Sequence, residues 1–128
     1  MKTGIALLIA ITPLIASVTA RADKQFTKGK GTMWDCRKDP RVDIRHGLGT
    51  YKFTGKCATI NVNGGENKLT IESVDTLTVN GSKNTVAIGT ADTISVSGSD
   101  NKVTYQSAKS GNVTANTAGA QNTIEQTP

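Results

Sequence analysis

One histidine, a recurring aspartate and a recurring asparagine are the residues of this 128-residue chain whose types and spacing suit chemistry. His46 is the only histidine, and Gly47 follows it. No G-x-S-x-G elbow or other nucleophile context accompanies it, so it reads as a turn residue rather than a general base. Asp75 and Asp92 lie 17 residues apart, a spacing that stacks them if the segment repeats. Paired carboxylates can share acid–base work, but Lys109, 17 residues further on, is placed to neutralise Asp92. Calcium-binding repeats carry a constant acid in each copy. Here the corresponding stretches read G-G-E-N, G-S-K-N and G-S-D-N, so no metal is expected. Two cysteines and one distant histidine are too few for a zinc site, and no glycine-rich loop leads into a helix to cradle phosphate. The residues therefore point to a non-catalytic protein without a cofactor.

The asparagines belong to a larger pattern. At a period of 17 the chain reads "CATINVNGGENKLTIES" (57–73), "VDTLTVNGSKNTVAIGT" (74–90) and "ADTISVSGSDNKVTYQS" (91–107), with no gap between blocks. Seven columns coincide, among them Gly64, Gly81 and Gly98, and Asn67, Asn84 and Asn101. A shift of 18 places Val42, Ile44, Tyr51 and Phe53 under Ile60, Val62, Leu69 and Ile71. An offset of 21 places Asn122 under Asn101. Clean repeats with degenerate ends are the usual form of a capped array.

Within each block, triplets such as Leu77-Thr78-Val79 and Val86-Ala87-Ile88 alternate at period two with β-branched residues. That alternation predicts strands with one apolar face, and no helix of any length. Glycine and asparagine tolerate positive φ, so both columns are expected at tight corners. The fold class expected is all-β: a short parallel β-solenoid of four to five coils with repeats of about 17 residues and an N-terminal cap. There the asparagines would form a ladder of side-chain amides across the strand spacing of about 4.8 Å. The alternative is an antiparallel β-meander of hairpins. The outward columns Asn61, Thr78, Ser95 and Thr70, Ala87, Thr104 are mixed, which suits ordinary solvent-facing positions better than a hydroxyl array for ice or sugar.

The start, "MKTGIALLIAITPLIASVTARA", has a positive residue, a short apolar run and an Ala20-Arg21-Ala22 cleavage site. It predicts a signal peptide over residues 1–22, too short an apolar run for a membrane span of about 20 residues. Export to an oxidising compartment makes Cys36 and Cys57 an expected disulfide, worth on the order of 3 kcal/mol. The remaining organisation expected is a basic cap with a degenerate first coil (23–56), three clean repeats (57–107), and a degenerate last coil with a flexible tail (108–128).

Charge is uneven. Residues 23–56 hold nine Lys or Arg against four Asp, a balance of +5, whereas residues 57–128 hold four Lys against six acids, a balance of −2. The sum, +3, is too mild to argue for nucleic acid. Trp34, Arg37, Lys38, Arg41 and Arg45 are the candidate contacts for a protein or envelope partner, although capping is the primary expectation for Trp34.

The G-x-x-N-x-[VL] repeat behind a signal peptide resembles the bacterial exported family known as domain of unknown function 3060, over residues 57–124. The resemblance implies a small β-solenoid in or outside the bacterial envelope, and it carries no established activity or catalytic residues. The function expected is an exported, non-catalytic β-solenoid, a periplasmic or secreted binding or structural module. The alternative is an immunity protein or inhibitor that blocks a secreted toxin or hydrolase with the basic N-terminal segment.

Overall fold

The structure, a computed structural model, describes residues 24–128, and the expected signal peptide lies outside them. Among the described residues nine strands form: β1 (Lys24–Phe26), β2 (Thr32–Asp35), β3 (Arg41–Ile44), β4 (Thr50–Asn63), β5 (Lys68–Ser82), β6 (Thr85–Ser99), β7 (Lys102–Ala108), β8 (Thr114–Ala120) and β9 (Thr123–Gln126). Among the described residues there is no helix, and hence none long and apolar enough to cross a membrane. Every strand pairing is parallel. Hairpins would give antiparallel neighbours, so the meander is excluded and the chain is a parallel β-solenoid.

Its rungs follow the repeat columns. Lys68 to Ser82 of β5 pair residue for residue with Thr85 to Ser99 of β6. Five side chains per coil point inward: Leu69, Ile71, Val74, Leu77 and Val79 in β5, then Val86, Ile88, Ala91, Ile94 and Val96 in β6, all buried. Period-two alternation accounts for four of them. It breaks at Glu72–Ser73 and Asp75–Thr76, where the chain bends, so the fifth position (Cys57, Val74, Ala91) escapes the triplet pattern.

The stack has about six turns, as in the column Phe26, Ile44, Val62, Val79, Val96, Thr117. The expectation of four to five coils was low because residues assigned to a cap wind into the stack. β1 pairs with β3, and β2 pairs with β4. Their sequence hides the repeat because the inward residues there are aromatic. Tyr51 and Phe53 stack with ring centroids 6.1 Å apart, and Phe26 meets both edge-on, at 5.6 and 6.0 Å. Trp34 packs edge-on against Phe26 at 5.9 Å, and the Lys24 ammonium lies 4.8 Å from the Trp34 ring. Such contacts add to area burial in both aromatic and cation–π pairs. The irregular spacings are absorbed locally. A bulge between Phe53 and Lys56 takes up the extra residue of the 18-residue shift, with Gly55 at φ 78°.

The corner between coils rests on the asparagine column. The side-chain oxygen of Asn84 accepts the backbone N–H of Asn67 at 3.0 Å, and that of Asn101 accepts the N–H of Asn84 at 3.0 Å. The amide nitrogens reach back instead to corner carbonyls: Asn67 to His46 (2.8 Å), Asn84 to Gly64 (2.9 Å), Asn101 to Gly81 (2.9 Å) and Asn122 to Gly98 (3.0 Å). Side chain also meets side chain, Asn84 Nδ2 on Asn101 Oδ1 and Asn101 Nδ2 on Asn122 Oδ1, each at 2.9 Å. The expectation of positive φ at asparagine is corrected. The left-handed residue is the one before it, Glu66, Lys83, Asp100 or Gln121, at φ 56–59°. Asparagine is present for its amide, which satisfies buried backbone groups that would otherwise be orphaned. Glycine is required for a different reason. Gly81 has φ 152°, and a Cβ there would overlap the Gly64 carbonyl oxygen that accepts the Asn84 amide.

Asn84→Ala would leave the Gly64 carbonyl and the Asn67 N–H unpaired in a buried setting. The expected loss is about 2 kcal/mol or more, a fall of roughly 10 °C in Tm for a domain of this size. Asn122→Ala, at the half-buried last rung, is expected to cost less. Thermal melts of the two variants check the ladder, and an unchanged Tm for Asn84→Ala would refute it.

Candidate functional site

Of the residues singled out for acid–base chemistry, Asp75 and Asp92 lie on adjacent rungs, between the pairs Val74–Ala91 and Thr76–Thr93. His46 is an exposed corner residue whose carbonyl holds the Asn67 amide. Asp75 forms an ion pair with Lys109. Asp92 accepts the Ser110 hydroxyl at 3.0 Å. The expected Asp92–Lys109 pairing is therefore replaced, because the lysine reaches across to Asp75. Among the described residues no group of three or more His, Cys, Asp or Glu side chains is placed to hold a metal.

Cys36 and Cys57 are joined, with Cα atoms 5.0 Å apart. Cys57 occupies the fifth inward column, and Cys36 donates its N–H to Thr54 O at 2.9 Å. The bridge therefore ties the turn after β2 onto the stack. Beside it Asp35 and Arg37 interlock: Nε of Arg37 donates to both carboxylate oxygens at 3.0 and 3.1 Å, and Nη2 to Oδ2 at 2.8 Å. The guanidinium and the Arg37 N–H hold the Asp35 carboxyl well below its ordinary 3.8, at about 2.

The five candidate partner contacts lie on β2, on the turn after it and on the stretch that follows. Trp34 is half-buried, with its indole N–H donating to Asp39 O at 3.2 Å. Arg37 and Lys38 lie on the exposed turn after β2. Arg41 and Arg45 belong to the β3 stretch of the coil, and Arg45 Nε donates to the buried Asp43 at 2.6 Å. Asn63 Nδ2 meets the other Asp43 oxygen at 3.2 Å, so that carboxylate is paired on both sides.

Arg37 also joins Lys109 and four residues that the sequence did not single out: Lys56, Glu72, Ser73 and Thr90. A groove of about 570 Å³ is lined by Arg37, Gly55, Lys56, Glu72, Ser73, Thr90 and Lys109. It runs along the bend of successive coils, where Lys56 pairs with Ser73 and Ser73 with Thr90. Small side chains at the bend leave the space, and the long stems of Arg37, Lys56 and Lys109 wall it. Glu72 Oε2 accepts the Gly55 N–H at 2.8 Å. The sequence did hold a signal for this groove. Ser73, Thr90 and Ser107 close the three aligned blocks, and Lys56 directly precedes the first.

The profile of the family described as "Protein of unknown function (DUF3060)" matches residues 49–87 and 75–119. The chain belongs to the DUF3060 family. No curated protein and no solved structure matches the chain. The DUF3060 matches cover the core of the stack, from the second coil into the last, including the corner asparagines Asn67, Asn84 and Asn101. The disulfide-linked turn carrying Cys36 and Arg37 precedes them.

Two measurements check these arrangements. Asp35 has its lowered value only when folded, so its contribution to stability is complete above about pH 3.8 and disappears as pH falls toward about 2. Arg37→Gln is expected to return the Asp35 carboxyl toward 3.8, followed by carbonyl-carbon NMR titration. Reducing the disulfide, whose cysteines are 21 residues apart, is expected to cost on the order of 3 kcal/mol, read by denaturant unfolding with and without reductant.

Proposed function

We propose that the protein is an exported, non-catalytic β-solenoid that acts as a binding or structural module in the periplasm or outside a bacterial cell. One observation carries this reading: the asparagines and aspartates of the repeat are engaged by neighbouring coils. Asn67, Asn84, Asn101 and Asn122 bond to rungs of the same stack, and Asp75 and Asp92 bond to Lys109 and Ser110. A catalytic pair needs side chains that converge on a shared substrate atom. The Cys36–Cys57 bridge supports export, because such bonds persist in oxidising compartments. Membership of the family carries no activity with it.

The second reading is an inhibitor or immunity protein that blocks a secreted toxin or hydrolase with its basic segment. It draws on the exposure of Lys38 and Arg41, neither of which has an acid partner within 4.0 Å among the described residues.

Expression of the whole chain in a bacterial host, followed by fractionation and intact mass measurement, tests the first reading. A mature protein beginning at Asp23, outside the cytosol and without free thiols, is expected. Full-length protein retained in the cytosol with reduced cysteines would overturn it. A stoichiometric enzyme partner, lost when Arg37, Lys38, Arg41 and Arg45 are changed together to Gln, would favour the inhibitor instead.

A further inference from the structure

We propose that the groove beside the disulfide binds a carboxylated oligosaccharide, an inference that rests on reading the chain as a binding module. Its shape suits a chain-like ligand. Arg37 comes from the turn after β2, Lys56 from β4, Glu72 and Ser73 from β5, Thr90 from β6, and Lys109 from the segment after β7. The groove therefore follows the bend over successive coils from Arg37 to Thr90, and Lys109 reaches back along it to Asp75 on the coil of Ser73. Its volume of about 570 Å³ lies within the range of small-ligand sites.

Charge leaves one position for an anion. Arg37, Lys56 and Lys109 line the groove with the carboxylate Glu72. Arg37 and Lys109 are neutralised and held in place by Asp35 and Asp75. Lys56 has no ion pair among the described residues, which leaves its ammonium for a ligand carboxylate. The Arg37 stem passes close by, since a Cβ on Gly55 would lie 3.2 Å from its Cγ.

The remaining groups select hydroxyls. Glu72 Oε2 is held by the Gly55 N–H, and Oε1 has no partner among the described residues, so it can accept from a sugar hydroxyl. The Ser73 hydroxyl donates or accepts along the same line, and the Thr90 hydroxyl, already bonded to Ser107 Oγ at 3.2 Å, keeps capacity for a further bond. The aliphatic stems of the three cations offer apolar walls to the C–H faces of sugar rings. An acidic peptide fits less well. Peptides bind sheets by adding a strand to a free edge, and here the backbone from Lys56 through Ser73 to Thr90 and Ser107 is already paired rung to rung.

Calorimetric titration of the mature protein with trigalacturonate, maltotriose and triglutamate tests the assignment, with amide NMR to locate the contact. Saturable binding of trigalacturonate, weakened by added salt and shifting the Ser73 and Thr90 amides, is expected. Lys56→Gln, at an exposed and unpaired position, should weaken it about tenfold, and Thr90→Val should weaken it less, both with unchanged melts. Equal binding of maltotriose, tighter binding of triglutamate, or no saturable binding of trigalacturonate would each overturn the proposal. So would full affinity in Lys56→Gln. Mass spectrometry of the recovered sugar separates the two readings. Shortened trigalacturonate would overturn the non-catalytic reading, whereas absence of binding by a correctly exported protein overturns the groove alone.

Discussion

The stack depends on one exchange at the corner of each coil. A corner carbonyl is left facing along the solenoid axis, and the asparagine of the next coil covers it with its amide nitrogen while its oxygen takes a backbone N–H. The carbonyl occupies the space where a side chain on the following corner residue would stand, so that residue is glycine. Gly81 and Asn84 are thus two halves of one requirement. The exchange also sets register, because an asparagine displaced by one residue would lose both backbone partners. In a sheet with one buried face, the same slip would turn the inward Leu, Ile and Val outward.

The two ends of the described stack differ. At the N-terminal end the inward positions enlarge to Phe26, Trp34, Tyr51 and Phe53, and the disulfide fastens the turn between β2 and β3 to the stack. Burial pushes the Tyr51 phenol above its ordinary 10.0. The ring fits because Gly29 and Gly49 flank it, where any Cβ would overlap its atoms. At the C-terminal end the columns of Ile94 and Val96 shrink to Ala115 and Thr117, and β8 is exposed throughout, while Val113 and Ile124 stay partly buried against the core.

The bends that close each coil also produce the groove. Where alternation breaks, one position turns outward with a short side chain, Ser73 in one coil and Thr90 in the next. Cations from the first, second and fifth coils then lean over a shallow channel. A recognition surface in such a fold arises at the bends and ends, because the corner asparagines and glycines are committed to neighbouring rungs.

Much of this architecture is written in the sequence, since a solenoid turns a linear period directly into spatial stacking. The 17-residue period determines which residues share a rung, and alternation determines four of the five inward positions. The asparagine column reveals that an amide ladder is needed, and the two cysteines reveal a crosslink. Tertiary structure decided the rest. Aromatic residues concealed the first turn, because their repeat survives only as backbone pairing between β1 and β3 and between β2 and β4. Glycine and asparagine looked alike as turn residues, and only the packed corner separates a missing Cβ from a needed amide. Lys109 reached Asp75 rather than Asp92, and Arg37 met Lys56 and Glu72 across a groove. Those contacts depend on how long side chains cross between coils, which a period in the sequence does not encode.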